Sequence, residues 1–146
     1  MGTERFVGFE FQAIWFDDDA IELRCMGWNG AFGGTVAVYE GIGDLELAAD
    51  KLRGFPQSPS DKRELIFGSF GRNFAGGGLK MSFYCIGGAG RAYVEATFEA
   101  GDEIAGTIQT ALLSMHLEAA AVDTFVEELR AIGVKRAGRA LMAGQD

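Results

Sequence analysis

Proline, cysteine and histidine are scarce in this chain: two, two and one among 146 residues. Cys25 and Cys85 stand far apart in apolar strand-like segments with no histidine beside them. That excludes a disulfide framework and a local zinc-ligand spacing, and two free buried thiols are expected. A single histidine, His116, leaves little material for acid–base chemistry. Positive charge is also short, with 13 basic against 21 acidic residues and a formal charge of -8. A field of that sign disfavours nucleic acid and anionic membranes and suits a basic protein partner. No apolar run reaches the eighteen residues needed to span a bilayer. The opening MGTERFVGFEF has no basic region followed by a continuous apolar one, and Phe6 stands where a myristoylation signal wants Ser or Thr. A cytoplasmic location is expected.

What the chain does have is apolar content, 48% with twelve Phe, and 22 Gly, about twice the usual share. The first supplies one core and the second supplies tight turns. Two domains would leave each with about 70 residues and no disulfide or metal support, so a single domain over 1–146 is expected.

Alternation of period two marks the strands. Val7, Phe9, Phe11 and Ala13 form one apolar parity, and Ile21, Leu23 and Cys25 form the next across the turn Asp17-Asp18-Asp19. Asn29-Gly30 suits a type I′ connection into a third strand at 35–39. Asp44 reads as an N-cap for a short helix carrying Leu45, Ala48, Ala49 and Leu52. Gly54, Phe55 and Pro56 end that helix. Extended structure resumes at 64–70. Leu79, Met81, Phe83 and Cys85 alternate next, then Ala92, Val94, Ala96 and Phe98. The segment 106–115 reads as strand, with one long helix from about 108 to 132 as the competing pattern.

Over 117–132 the period changes to that of a helix. Val122, Phe125, Val126, Leu129 and Ile132 share one face, and Glu118, Asp123, Glu127, Glu128 and Arg130 take other directions. Gly133 is expected to end it, and residues 134–146 are expected to form a frayed basic tail. The order is β-β-β-α-β-β-β-β-α. The fold class is α+β: a strongly curved or two-layer antiparallel sheet with a short central helix and a longer C-terminal helix covering it.

No motif for catalysis, metal or cofactor rises from these residues. Asp17-Asp18-Asp19 lacks further carboxylates at calcium-loop spacing. Ser114 lacks a G-x-S-x-G setting. The run 68–78 lacks G-x-x-x-x-G-K-[ST] and leads into a strand, so it is not a phosphate loop. Candidate binding residues are Trp28 and Asn29 at a turn, Arg72, Asn73 and Phe74 in the glycine-rich loop, and Glu127 and Glu128 on the acidic side of the last helix.

Several segments together resemble a family of small, largely uncharacterised bacterial α+β proteins. They are Trp28-Asn29-Gly30-Ala31-Phe32-Gly33-Gly34-Thr35 with Tyr39, Leu52-Arg53-Gly54-Phe55-Pro56, Ser60-Asp61, Gly77-Gly78, Phe83-Tyr84-Cys85 and the 118–129 helix. That family is distantly similar to immunity proteins that neutralise polymorphic bacterial toxins. The resemblance implies protein binding and brings no catalytic residue with it. Three functions follow for comparison with the structure. The first is a non-catalytic protein-binding protein, of immunity type, with a basic partner. The second is a small-ligand binder or enzyme with a phenylalanine-lined cavity inside the curved sheet and His116 or Arg91 at its rim. The third is a structural module that forms a homo-dimer through an edge strand or helix face.

Overall fold

Three strands begin the chain: β1 (Gly8–Phe16), β2 (Ala20–Trp28) and β3 (Gly33–Gly41). Helix α1 (Asp44–Leu52) follows, then β4 (Arg63–Gly68), β5 (Gly78–Ile86), β6 (Arg91–Asp102) and β7 (Thr107–Leu117). The chain continues with α2 (Ala119–Lys135) and β8 (Arg139–Gln145). The computed structural model describes residues 6–71, 76–102 and 104–145, the side chain of Asp102 aside. The fold is α+β, with the eight strands in one antiparallel sheet of order β3-β2-β1-β8-β7-β6-β5-β4.

The expected frayed tail is corrected by β8. Residues 139–145 form the strand that joins the two meanders, pairing with β1 from Gly8–Ala143 to Gln12–Arg139 and with β7 at His116–Gln145 and Leu117–Gly144. Ala140 and Met142 are fully buried on its inner parity. Ala140-Leu141-Met142-Ala143 is apolar on both parities, so the segment shows no period of two. The partners on both sides supply the rest of the reason for a strand.

The end of α2 also differs from the expected stop at Gly133. The helix runs on to Lys135, and Arg136 takes the left-handed position at φ 57° with its N–H on the Ile132 carbonyl. Gly133 lies where α1 crosses: a Cβ there would meet Glu46 Oε1 at 2.7 Å and Leu45 Cβ at 3.2 Å. Its lack of a side chain serves helix packing, not termination. At α1 the cap is Gly43 (φ 84°), and Asp44 is the first helical residue, its Oδ2 accepting the Gly41 N–H at 2.8 Å.

Both early hairpins owe their turns to a side-chain oxygen. Asp17 Oδ1 accepts the N–H groups of Asp19 and Ala20, each at 2.8 Å. The expected two-residue type I′ turn at Asn29-Gly30 is not formed. Trp28 pairs with Gly33, which leaves a four-residue loop, and only Gly30 has positive φ (99°). Asn29 Oδ1 instead accepts from Ala31 and Phe32 at 2.9 and 2.8 Å, an Asx arrangement that pre-empts the tighter turn.

The sheet curls until its two end strands nearly meet. Gly77 N–H donates to Ala37 O at 2.8 Å, and Gly68 N–H donates to Glu40 Oε1 at 2.7 Å. Inside the curl, Phe11 of β1 meets Phe67 of β4 edge-on at 5.0 Å and Phe125 of α2 at 5.2 Å. Phe9 stacks near Phe98 at 6.5 Å. Gly27 and Gly34 let the Phe98 ring approach, since a Cβ at either position would come within 3.0 Å of it.

Beyond their two paired positions β7 and β8 part, and α2 fills the opening. Val122, Phe125, Val126, Leu129 and Ile132 are all buried, as the helical stripe requires. The parting leaves the Leu141 N–H without a strand partner, and Glu128 Oε1 accepts it at 2.9 Å. Glu128→Ala should therefore lower stability by about 1–3 kcal/mol in urea unfolding, and Glu128→Gln should restore most of it.

Candidate binding face

The register across β5, β6 and β7 aligns Tyr84, Tyr93 and His116 in one cross-strand row and Ser82, Glu95 and Ser114 in the next. Their neighbours in sequence, Phe83, Val94 and Met115, are buried, so both rows face away from the core. The Tyr84 and Tyr93 rings are 5.4 Å apart, and His116 meets Tyr93 edge-on at 4.9 Å. Tyr84 donates its hydroxyl proton to Glu95 Oε1 at 2.5 Å, and Tyr93 donates to Ser114 Oγ at 2.7 Å. The hydrogen bond to Glu95, with burial and the carboxylate charge adding, pushes the Tyr84 phenol up to about 12. Tyr84 therefore remains a donor at every physiological pH. Glu64 of β4 extends the Ser82–Glu95 row at the sheet's end and pairs with Lys80 at 3.5 Å.

The β2–β3 turn reaches this face. Asn29 Nδ2 donates to the Ser114 carbonyl at 3.0 Å, so the expected binding residue Asn29 acts as the pin between the two halves of the sheet. Trp28 is half-buried on the outward side of β2 and lies over Gly33, where a Cβ would be 3.0 Å from its Cε3. With Phe6, Glu10, Met26 and Thr35 it lines a surface concavity of about 660 Å³.

The two glutamates expected to bind a partner have other occupations. Glu128 holds β8, and Glu127 pairs with Arg53, the residue that caps the C-terminus of α1, at 2.5 Å. Arg53 and Arg130 both approach Asp50, at 3.8 and 3.6 Å, which lays a charge network across the two helices. These groups are roughly half exposed, and their energetic weight is small. Arg72, Asn73 and Phe74 lie outside the described residues. Gly71 and Gly76, which flank them, line a second concavity of about 660 Å³ together with Ile14, Arg24 and Ile108.

The inside of the curl is packed with aromatic side chains. Phe9, Phe11, Phe55, Phe67, Phe83 and Phe125 are fully buried side chains that fill it. Burial pushes the Cys25 thiol well up and makes it a poor nucleophile, and Cys85 points its Sγ at the Ser58 carbonyl. Among the described residues no three His, Cys, Asp or Glu side chains gather as a metal site. No helix there is long and apolar enough to cross a membrane.

Tyr84, Tyr93 and Glu95 were not singled out by the sequence. Their outward parity was visible, but parity does not say which strands are neighbours or which residues face one another. Comparison of the chain with protein-family models, curated proteins and solved structures gives no match.

Proposed function

We propose that this chain is a non-catalytic protein-binding protein with a basic partner, and that within this class it acts as an immunity protein against a bacterial toxin domain. The observation that carries the reading is the outward row of Tyr84, Tyr93 and His116 bordered by Glu95. A lysine or arginine of a partner can lie over such rings while Glu95 accepts its N–H groups. The net charge of -8 draws a basic protein toward the surface from a distance. The toxin assignment rests on the family resemblance.

The test has two stages. Protein recovered from native lysate at low salt is identified, purified and titrated against wild type, Glu95→Lys and Glu127→Lys. A basic partner is expected, with Glu95→Lys weakening it at least 30-fold, about 2 kcal/mol, at unchanged thermal stability, and Glu127→Lys having little effect. Equal affinity for Glu95→Lys, or a partner without a basic surface, would reject the binding face. Wild-type protein should also protect cells that express a toxin encoded beside it. Failure to protect, with the binding intact, removes the immunity assignment alone.

A further inference from the structure

Glu40 sits where three elements meet. On β3 it has the inward parity of Val36 and Val38, and its side chain is only partly exposed. Its Oε1 accepts the N–H of Gly68, the last residue of β4. Beside it stands Asp44, the first residue of α1, whose Oδ2 is held by the Gly41 N–H. The ionisable groups facing Glu40 are Asp44 from α1 and the buried Cys25 thiol from β2, while β4 presents the Gly68 amide. A second backbone bond, Gly77 N–H to Ala37 O, crosses between the same sheet ends three residues along β3. A carboxyl in this position can make two different sets of contacts, depending on one proton.

We propose that Glu40 is a proton-controlled clasp on the β3–β4 seam. As the acid it donates to the Asp44 carboxylate while its other oxygen accepts the Gly68 amide, so that one side chain ties β3, α1 and β4 together. As the carboxylate it keeps Gly68 but faces Asp44 as a like charge in a partly desolvated site, and the seam opens more readily.

The proton balance gives the direction. Burial is the main cause, the Asp44 charge adds, and the Gly68 amide opposes; together they push the Glu40 carboxyl up to about 7. In the opened seam the side chain is hydrated and returns to the ordinary carboxylate range. The closed form therefore binds more protons, so its stabilisation is complete below that ordinary range and is lost as pH rises through about 7.

Native-state hydrogen exchange of the full chain, corrected for base catalysis, reads the seam directly at the Gly68 and Gly77 amides. Between pH 5 and 7 their opening constant should rise by about 30–100-fold, levelling off above about pH 8, with no such rise at Phe11 of β1, which is paired on both sides in the middle of the sheet. Glu40→Gln keeps an acceptor for Gly68 and a donor for Asp44, and it should leave the opening constant low and flat with pH. Asp44→Asn should cut the rise by removing the neighbouring charge. A wild-type opening constant that does not change across this range overturns the clasp, whatever the variants do. So does an equal rise in Glu40→Gln.

Discussion

Phe125→Ala is expected to lower stability by about 3–5 kcal/mol. The Phe125 ring is fully buried on α2 and meets Phe11 at 90° and 5.2 Å; Phe11 in turn meets Phe67 at 88° and 5.0 Å. Three elements distant in sequence thus share one line of rings. Truncation at its α2 end removes the transfer energy of a phenyl group and leaves a hole beside the Phe11 ring. β1, which carries Phe11, is held by ladders to β2 and β8 and cannot close in. Phe125→Leu, which keeps most of the volume, should cost about 1–2 kcal/mol. Urea denaturation with far-ultraviolet circular dichroism measures both, and a Phe125→Ala loss under 1 kcal/mol would show that the opening between β7 and β8 is loosely filled.

A backbone position gives the second large effect. Gly8→Ala is expected to cost about 2–5 kcal/mol, because it combines strain at positive φ with overpacking. Gly8 has φ 140°, and an added Cβ would fall 2.2 Å from Met142 O and 3.0 Å from Gly144 N. Both are main-chain atoms of β8, so relief requires β1 and β8 to separate. Gly88→Ala provides the comparison: nothing lies within 4 Å of its Cβ, and its melting temperature should stay close to wild type. If Gly8→Ala melts like Gly88→Ala, the tight β1–β8 contact is not a constraint in solution.

Much of the fold was legible because its strands are half-buried. Phe9 and Phe11, Leu23 and Cys25, and Ala92 to Phe98 announce their inner faces by parity alone, as does the α2 stripe by its longer period. Local signals failed where a distant group decides the outcome. Ala140 and Met142 become a strand because β1 waits beside them, and Gly133 is glycine because Leu45 and Glu46 press on it. Asn29 belongs to its own turn and, through Ser114, to β7.

The binding face was the least legible part. Tyr84, Tyr93 and His116 become one surface only through the register of three strands. Glu127 and Glu128 looked free on an acidic helix face, yet one bridges to α1 and the other satisfies a main-chain amide of β8. Polar residues on a helix carry no mark of what stands opposite them.

The place of β8 between β1 and β7 also sets an order in time. During synthesis the first three strands and the next four can each form a hairpin ladder as they emerge, since their pairings are local. Neither ladder has its neighbour until the strand that lies between them has left the ribosome, nearly a whole chain length after β1. Until then β1 and β7 each expose a bare edge, open to pairing with other nascent chains. The sheet is completed at its middle, in one late step.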